Sequence, residues 1–277
     1  MPELSDVVYS RTETVQAFRD YYRFLVGLYL DESYVVEPPK GGWPSITPNV
    51  VRELIGKDEE VAGLLRELPY IRGKCLEDFP GTQATPICVW ADWDDLLRIG
   101  GDGLNIMTEG TIFEDVPSHV IGLTINTDDH KKFLLDTKLG IVYWPEYVEL
   151  QYEHRSHGTF NLMSWVENPI EQITDDPEDY APENEVEWRS ESPAWTIVDF
   201  FELLKSQYRE LNFIPINSDE VLTVKARFKP ALDGMIPMIR RIYHEHGWPQ
   251  GTDYRKQECL KAIKTAMDEH YPTFSSF

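Results

Sequence analysis

Three clusters carry residue types that could do chemistry. The first is Asp92, Asp94 and Asp95, set around Trp90 and Trp93 in "WADWDDLL". Carboxylates so placed can share acid–base work or bind Mg²⁺. They also suit a helix start, where acidic side chains meet the positive end and tryptophans fill core. The sequence favours that second reading. The next cluster is "EHRSH", with Glu153, His154 and His157. On a helix this spacing puts both imidazoles on one face, as a metal site needs. The surroundings read instead as a strand end and loop, and the sequence fixes no third ligand. The last is "YHEHGW", holding His244 and His246 two apart. On a helix those rings diverge by about 200°. A histidine there is favourable simply as a cap on the terminal carbonyls. His119 and His130 flank a strand and read as surface or hydrogen-bonded core.

Asp92, Asp94, His154 and His157 are therefore the candidate catalytic residues. No GxSxG, GxxxxGK[ST], GxGxxG or HExxH occurs, so no phosphate cradle or common hydrolase elbow is supported. The sequence implies neither a cofactor nor a metal site. Cys75 and Cys88 lack a patterned histidine partner for a thiol nucleophile. The candidate binding residues are aromatic: Trp43, Trp90, Trp93, Tyr143 and Trp144. Trp43 in "GGWP" and Trp248 in "HGWP" each sit beside a proline, as a packing plug or part of an apolar interface.

Composition bounds the partners. The 277 residues include 26 basic and 48 acidic side chains, a net charge of -22. A phosphate backbone wants clustered Lys and Arg, so nucleic acid is disfavoured, as is an anionic membrane surface. A basic protein or a neutral small molecule is electrostatically easier. At 42% hydrophobic and 12% aromatic, most of the chain should fold. Three spaced cysteines without CxxC fit a reducing compartment. The start "MPELSDVVYSRTE" lacks a signal-peptide pattern and no run reaches membrane-span length. The expected location is cytoplasmic.

These residues must be positioned by helices and a sheet. Val15, Phe18, Tyr22, Leu25 and Tyr29 predict an amphipathic helix from Thr12 to Leu30. "EPPKGGWPSITP" breaks it. Val50, Val51, Leu54 and Ile55, then Val61, Leu64, Leu65 and Leu68, predict a helical pair ending at Pro69. "TPICVW" (85–90) and "HVIGLTIN" (119–126) read as strands. "KKFLLDTKLGIVYWPE" (131–146) reads as a hairpin, with Gly140 free to take positive φ. Its Tyr143 and Trp144 point to opposite faces, so one should be core and the other could meet a partner. "YVELQYE" and "GTFNLMSW" could extend the sheet. From Val166 to Ser192 ten acidic residues, three prolines and one arginine predict a loop or flexible insert. Thr196 and Asp199 form a capping box before the stripe Ile197, Phe200, Phe201, Leu204, Tyr208 and Leu211. "DEVLTVKARF" suggests a strand. Two helices follow, the last with Asp253 as cap.

The order of "LRELPYI", "VPSHVIGLTIN", "KKFLLDTKLGIVYW" and "PAWTIVDFFELLKSQY" resembles the Smi1/Knr4-like (SUKH) superfamily. Leu68-Pro69, Pro117, Asp136, Gly140, Val142, Tyr143, Trp144, Phe200, Phe201 and Leu204 occupy the family's places over about Thr47 to Leu211. The family's Asn-Gly-Gly element is missing after the early helix. The resemblance implies an α+β core with an antiparallel sheet packed against helices, in a fungal cytoplasmic setting. It also implies binding roles, as in toxin-neutralising immunity proteins and a regulator of cell-wall synthesis. The division expected is an N-terminal helix and linker over 1–46, a core over 47–212 with the acidic insert 166–192, and an extension over 213–277. Two functions compete. One is a non-enzymatic protein-binding or regulatory protein whose acidic surface attracts a basic partner. The other is a cofactor-independent isomerase, cyclase or lyase using Asp/His acid–base chemistry in a pocket. A scaffold whose terminal helices recruit partners is a third.

Overall fold

The computed structural model describes residues 2–72, 81–86, 88–112, 114–125, 132–145, 170–174, 176–224, 234–249 and 253–272. His130, His154, His157, Cys75 and the candidate strands "YVELQYE" and "GTFNLMSW" lie outside the described residues. The chain is α+β. In order it forms α1 (Arg11–Leu28), β1 (Val35–Val36), α2 (Pro48–Ile55), α3 (Glu59–Glu67) and β2 (Tyr70–Ile71). Next come β3 (Gln83–Thr85), β4 (Cys88–Trp90), α4 (Trp93–Ile99), α5 (Leu104–Glu109), β5 (Val120–Gly122) and β6 (Thr124–Ile125). Then follow β7 (Leu134–Asp136), β8 (Ile141–Tyr143), α6 (Glu183–Ser190), β9 (Ala194–Thr196) and α7 (Ile197–Arg209). The rest is β10 (Phe213–Pro215), β11 (Val221–Thr223), α8 (Met235–Glu245) and α9 (Lys256–His270).

The chain divides into two compact units, each drawn from three separated stretches. Unit one comprises Met1–Arg19, Val36–Tyr70 and Trp90–Leu203; unit two comprises Asp20–Val35, Ile71–Val89 and Leu204–Phe277.

Unit one is organised on the antiparallel sheet β5-β7-β8-β9. The hairpin β7–β8 pairs Leu134 with Tyr143 and Asp136 with Ile141. Gly140 closes its turn at φ +74°, a conformation that costs glycine nothing. Because directly opposed residues share a face, Val120, Leu134, Ile141, Tyr143 and Ala194 fall on two rows of one side. That side forms one core cluster with Ile173 and Trp188. The other side carries Ile121, Leu135, Val142 and Trp195, all buried. Neither face of the sheet is open.

Caps explain where the helices begin. Thr47 accepts from Val50 N at 3.3 Å with Pro48 in the first turn, and Asp58 accepts from Val61 N at 3.0 Å. Thr196 accepts from Asp199 N at 3.2 Å and donates its hydroxyl to that carboxylate at 2.7 Å, which is the N-cap half of the expected box with the return bond taken by the hydroxyl in place of the backbone amide. Four expectations need correction. The acidic stretch 166–192 is no loop over its second half, because 183–190 is α6 and its Trp188 is buried. The 85–90 strand is two short arms: β3 pairs with β4, placing Thr85 opposite Cys88. "HVIGLTIN" is split at Leu123, whose N–H keeps the β5–β7 register by reaching Phe133 O at 2.8 Å while its carbonyl takes the Ala91 amide at 2.9 Å. Asp253 does not cap α9, which starts after Arg255 without a side-chain cap.

Unit two is built around buried tyrosines. Tyr21 and Tyr208 donate to Ala84 O at 2.6 and 2.8 Å, and Tyr29 donates to Gln83 O. Gln83 in turn accepts from Val221 N at 3.0 Å. Tyr243 donates to Pro215 O at 2.7 Å. Burial pushes the hydroxyls of Tyr21, Tyr208 and Tyr243 well above their ordinary pKa, so they stay neutral donors.

Gly122 lies against the backbone of Thr108 so closely that a methyl would overlap its carbonyl. Gly122→Ala should lower stability by about 1–3 kcal/mol through overpacking, measured as a shifted urea midpoint. An unchanged midpoint would show that α5 yields freely.

Candidate functional site

Of the sequence-derived catalytic residues, Asp92 and Asp94 serve structure, while His154 and His157 lie outside the described residues. Asp92 is the N-cap of α4, accepting from Asp95 N at 3.1 Å. Asp94 is buried, accepts from Ser45 and pairs with Arg98 at 3.1 Å. The expected capping role of this cluster is thus the observed one. The aromatic candidates are interior. Trp43, Trp90, Trp93, Tyr143 and Trp144 are each at most 6% exposed, so none offers a contact surface. Trp43 donates to Leu68 O at 2.8 Å, and Trp93 to Gly122 O at 3.1 Å. Trp90 meets Phe18 edge-on at 5.5 Å, and Trp144 meets Phe133 at 4.8 Å. Tyr143 and Trp144 do leave the strand on opposite sides, but both sides are core. Trp248 is also buried, donating to Tyr208 O at 3.1 Å. His244 and His246 hold carbonyls at the end of α8, at 3.1 Å from Trp248 O and 2.7 Å from Ile242 O. Among the described residues no group of three His, Cys, Asp or Glu side chains could hold a metal, and no helix is long and apolar enough to cross a membrane.

The structure instead gathers charges that sequence reasoning missed. Arg189 of α6 is buried over the β7–β8 hairpin. Its Nη1 stands 3.0 Å from Asp136 Oδ2 and donates to Tyr143 Oη at 2.9 Å. Its Nη2 and Nε reach Glu185 Oε2 at 2.7 and 3.0 Å. Asp136 has no exposure; its other oxygen accepts the Lys138 and Leu139 amides at 2.8 Å each. The Tyr143 hydroxyl meets that of half-exposed Tyr180 at 3.0 Å. Burial works against charge on Arg189, but Tyr143, Asp136 and Glu185 more than offset it, so its pKa rises. Burial also pushes Tyr143 up to about 12 against the opposing pull of Arg189. His119, 3.6 Å from Asp136 Oδ2, is lowered by burial despite that carboxylate. The cluster sets one guanidinium against two carboxylates, with the neutral form of His119 favoured by burial.

A second buried pair lies at the end of α5. Lys57 Nζ stands 2.8 Å from Glu109 Oε1, both side chains at most 2% exposed. The two attract as charges at that distance. Burial pushes the Glu109 carboxyl up to about 7, with Lys57 opposing. Two further ties fix the same helix: Asn105 donates to Ile55 O at 3.1 Å, and buried Lys132 donates to Met107 O at 2.6 Å. These pairs join residues tens of positions apart, so no local spacing reveals them.

Two surfaces could meet other molecules. Unit two carries an open groove of about 460 Å³ beside α9, lined by Asp31, Ile216, Glu220, Lys256, Lys264 and Met267 among others. Lys256 spans to Val26 O and Leu30 O at 2.7 Å each. Burial lowers Lys256, and burial raises Glu220. Unit one exposes aliphatic side chains. Of the seven large hydrophobics exposed among the described residues, four belong to α2, α4 and α5: Leu54, Ile99, Ile106 and Met107. The helix α2 packs against both α4 and α5.

No protein-family model, curated protein or solved structure matches the chain.

Arg189→Met should cost about 3–5 kcal/mol in urea unfolding, because it leaves Asp136 and Glu185 buried without their cation. A loss below 1 kcal/mol, the range of an exposed pair, would contradict this. Glu109 predicts a pH effect. Its folded pKa lies above the ordinary 4.5, so between those values the folded state holds a proton that the unfolded state has released. That contribution is full below about 4.5 and is lost as pH rises through about 7. Wild type should therefore lose stability relative to Glu109→Gln as pH rises through this window, read from paired urea midpoints.

Proposed function

We propose that the chain is a non-enzymatic protein-binding or regulatory protein of the Smi1/Knr4-like kind, acting in the cytoplasm. The observation that carries the reading is the exposed aliphatic set on α2, α4 and α5. Clustered exposed hydrophobics on a soluble domain mark contact sites. The order of motifs around the hairpin and α7 supports the family assignment. The use of Asp92 and Asp94 as cap and ion-pair partner argues against the catalytic roles first open to them. The acidic surface would steer a basic partner toward encounter.

Affinity purification of the full chain should yield a stoichiometric protein partner whose retention weakens as salt is raised. Elution of the chain alone, with turnover of a small molecule by the purified protein, would reject the proposal.

A cofactor-independent acid–base enzyme is the second reading, favoured by one feature. Glu220 and Lys256 line the same groove with pKa values displaced toward each other, as acid–base pairs often are. Turnover abolished by Glu220→Gln and kept by Asp92→Asn would favour this reading.

A further inference from the structure

We infer that α2, α4 and α5 form a docking face for a basic amphipathic helix of another protein. This rests on the partner-binding reading and commits it to one surface and one partner chemistry. The first ground is concentration: Ile99 is 74% exposed, Ile106 50%, Met107 43% and Leu54 42%. Three of these residues, Leu54, Ile106 and Met107, sit beside polar joints of α2 and α5. Leu54 and Ile106 each adjoin a partner of the Asn105–Ile55 hydrogen bond. Met107 has its own carbonyl held by Lys132, and Glu109 is paired to Lys57. These three ties hold α5 and the end of α2 in place, so docking costs little ordering there. The loop between α4 and α5 is itself uncrowded. Side chains added at Gly100, Gly101 or Gly103 would meet open space.

Charge selects the occupant. The two exposed arginines nearby are already engaged, Arg52 with Glu59 at 3.3 Å and Arg98 with Asp94 and Asp95 at 3.1 Å. Glu53 and Asp102 are exposed and belong to no ion pair of the described residues. The unpaired charges next to Leu54 and in the α4–α5 loop are therefore acidic. A chain of net charge -22 repels a second copy of itself and an anionic membrane alike. A helix with Leu, Ile or Met on one side and Lys or Arg on the other satisfies both parts of the face. Met107 adapts to varied side chains.

The test is calorimetric titration of the full chain with a Leu/Lys peptide of about 18 residues, five helical turns long. Its control is a scrambled peptide of equal composition. The periodic peptide should bind, more weakly as salt is raised, and the scrambled one should not. Ile106→Ser with Met107→Ser keeps the net charge and should weaken binding about tenfold. Val198→Ser, on α7 and 56% exposed, should leave it unchanged, with circular dichroism confirming that each variant is folded. Absence of binding, or equal binding of the scrambled peptide, would overturn the inference. So would a wild-type dimer that the double variant dissociates. Equal binding by the double variant would move the partner to another surface, overturning this inference while the partner-binding reading stands.

Discussion

A single carboxylate with no exposure, Asp136, sets the architecture of unit one. One oxygen gathers the Lys138 and Leu139 amides and so fixes the hairpin turn. The other takes the Arg189 guanidinium and so seats α6 over the sheet. Buried ion pairs often add little net stability over an apolar core, yet removing one member is costly. Their effect here is to specify an arrangement. With Arg189 in place, Trp188 meets Tyr143 edge-on at 5.2 Å and the sheet face closes. That face is then closed to other molecules.

Charge follows the same division. The buried charged side chains among the described residues are Lys57, Lys132 and Arg189 against Asp94, Glu109, Asp136 and Glu185. Among the described residues the interior is nearly balanced, so almost all of their acidic excess lies outside it. Exposed acids repel one another only weakly through water and salt, but together they shape the field that a partner meets. The acidic composition is thus a statement about encounter, whereas the paired interior charges are statements about fold.

Much of the scaffold is legible in the sequence. The α1 and α7 stripes have helical spacing, and their observed bounds fall within a few residues of those expected. The hairpin announces itself through Asp136, Gly140 and alternating apolar residues. The capping residues Thr47, Asp58, Asp92 and Thr196 carry their own local chemistry. The helix α6 was hidden because it buries a tryptophan and an ion pair in place of an apolar stripe, and so its acidic run imitates a loop. The tryptophans beside prolines left two readings open, packing plug or interface, and the first is the observed one. A residue beside a proline and glycines looks exposed, but burial of Trp43 and Trp248 is decided by distant carbonyls that receive their indole N–H groups. The Glu109–Lys57 pair spans 52 positions and leaves no pattern at all.

The account stands on α6 being locked to the hairpin by Arg189 as one cooperative piece. Native-state hydrogen exchange resolved to peptides tests this directly. Amides of 183–190 and of the β7–β8 hairpin should open with the same free energy and the same denaturant dependence. Exchange of 183–190 at unprotected rates while the hairpin remains protected would contradict it, because the sheet face would then be open to solvent and to partners.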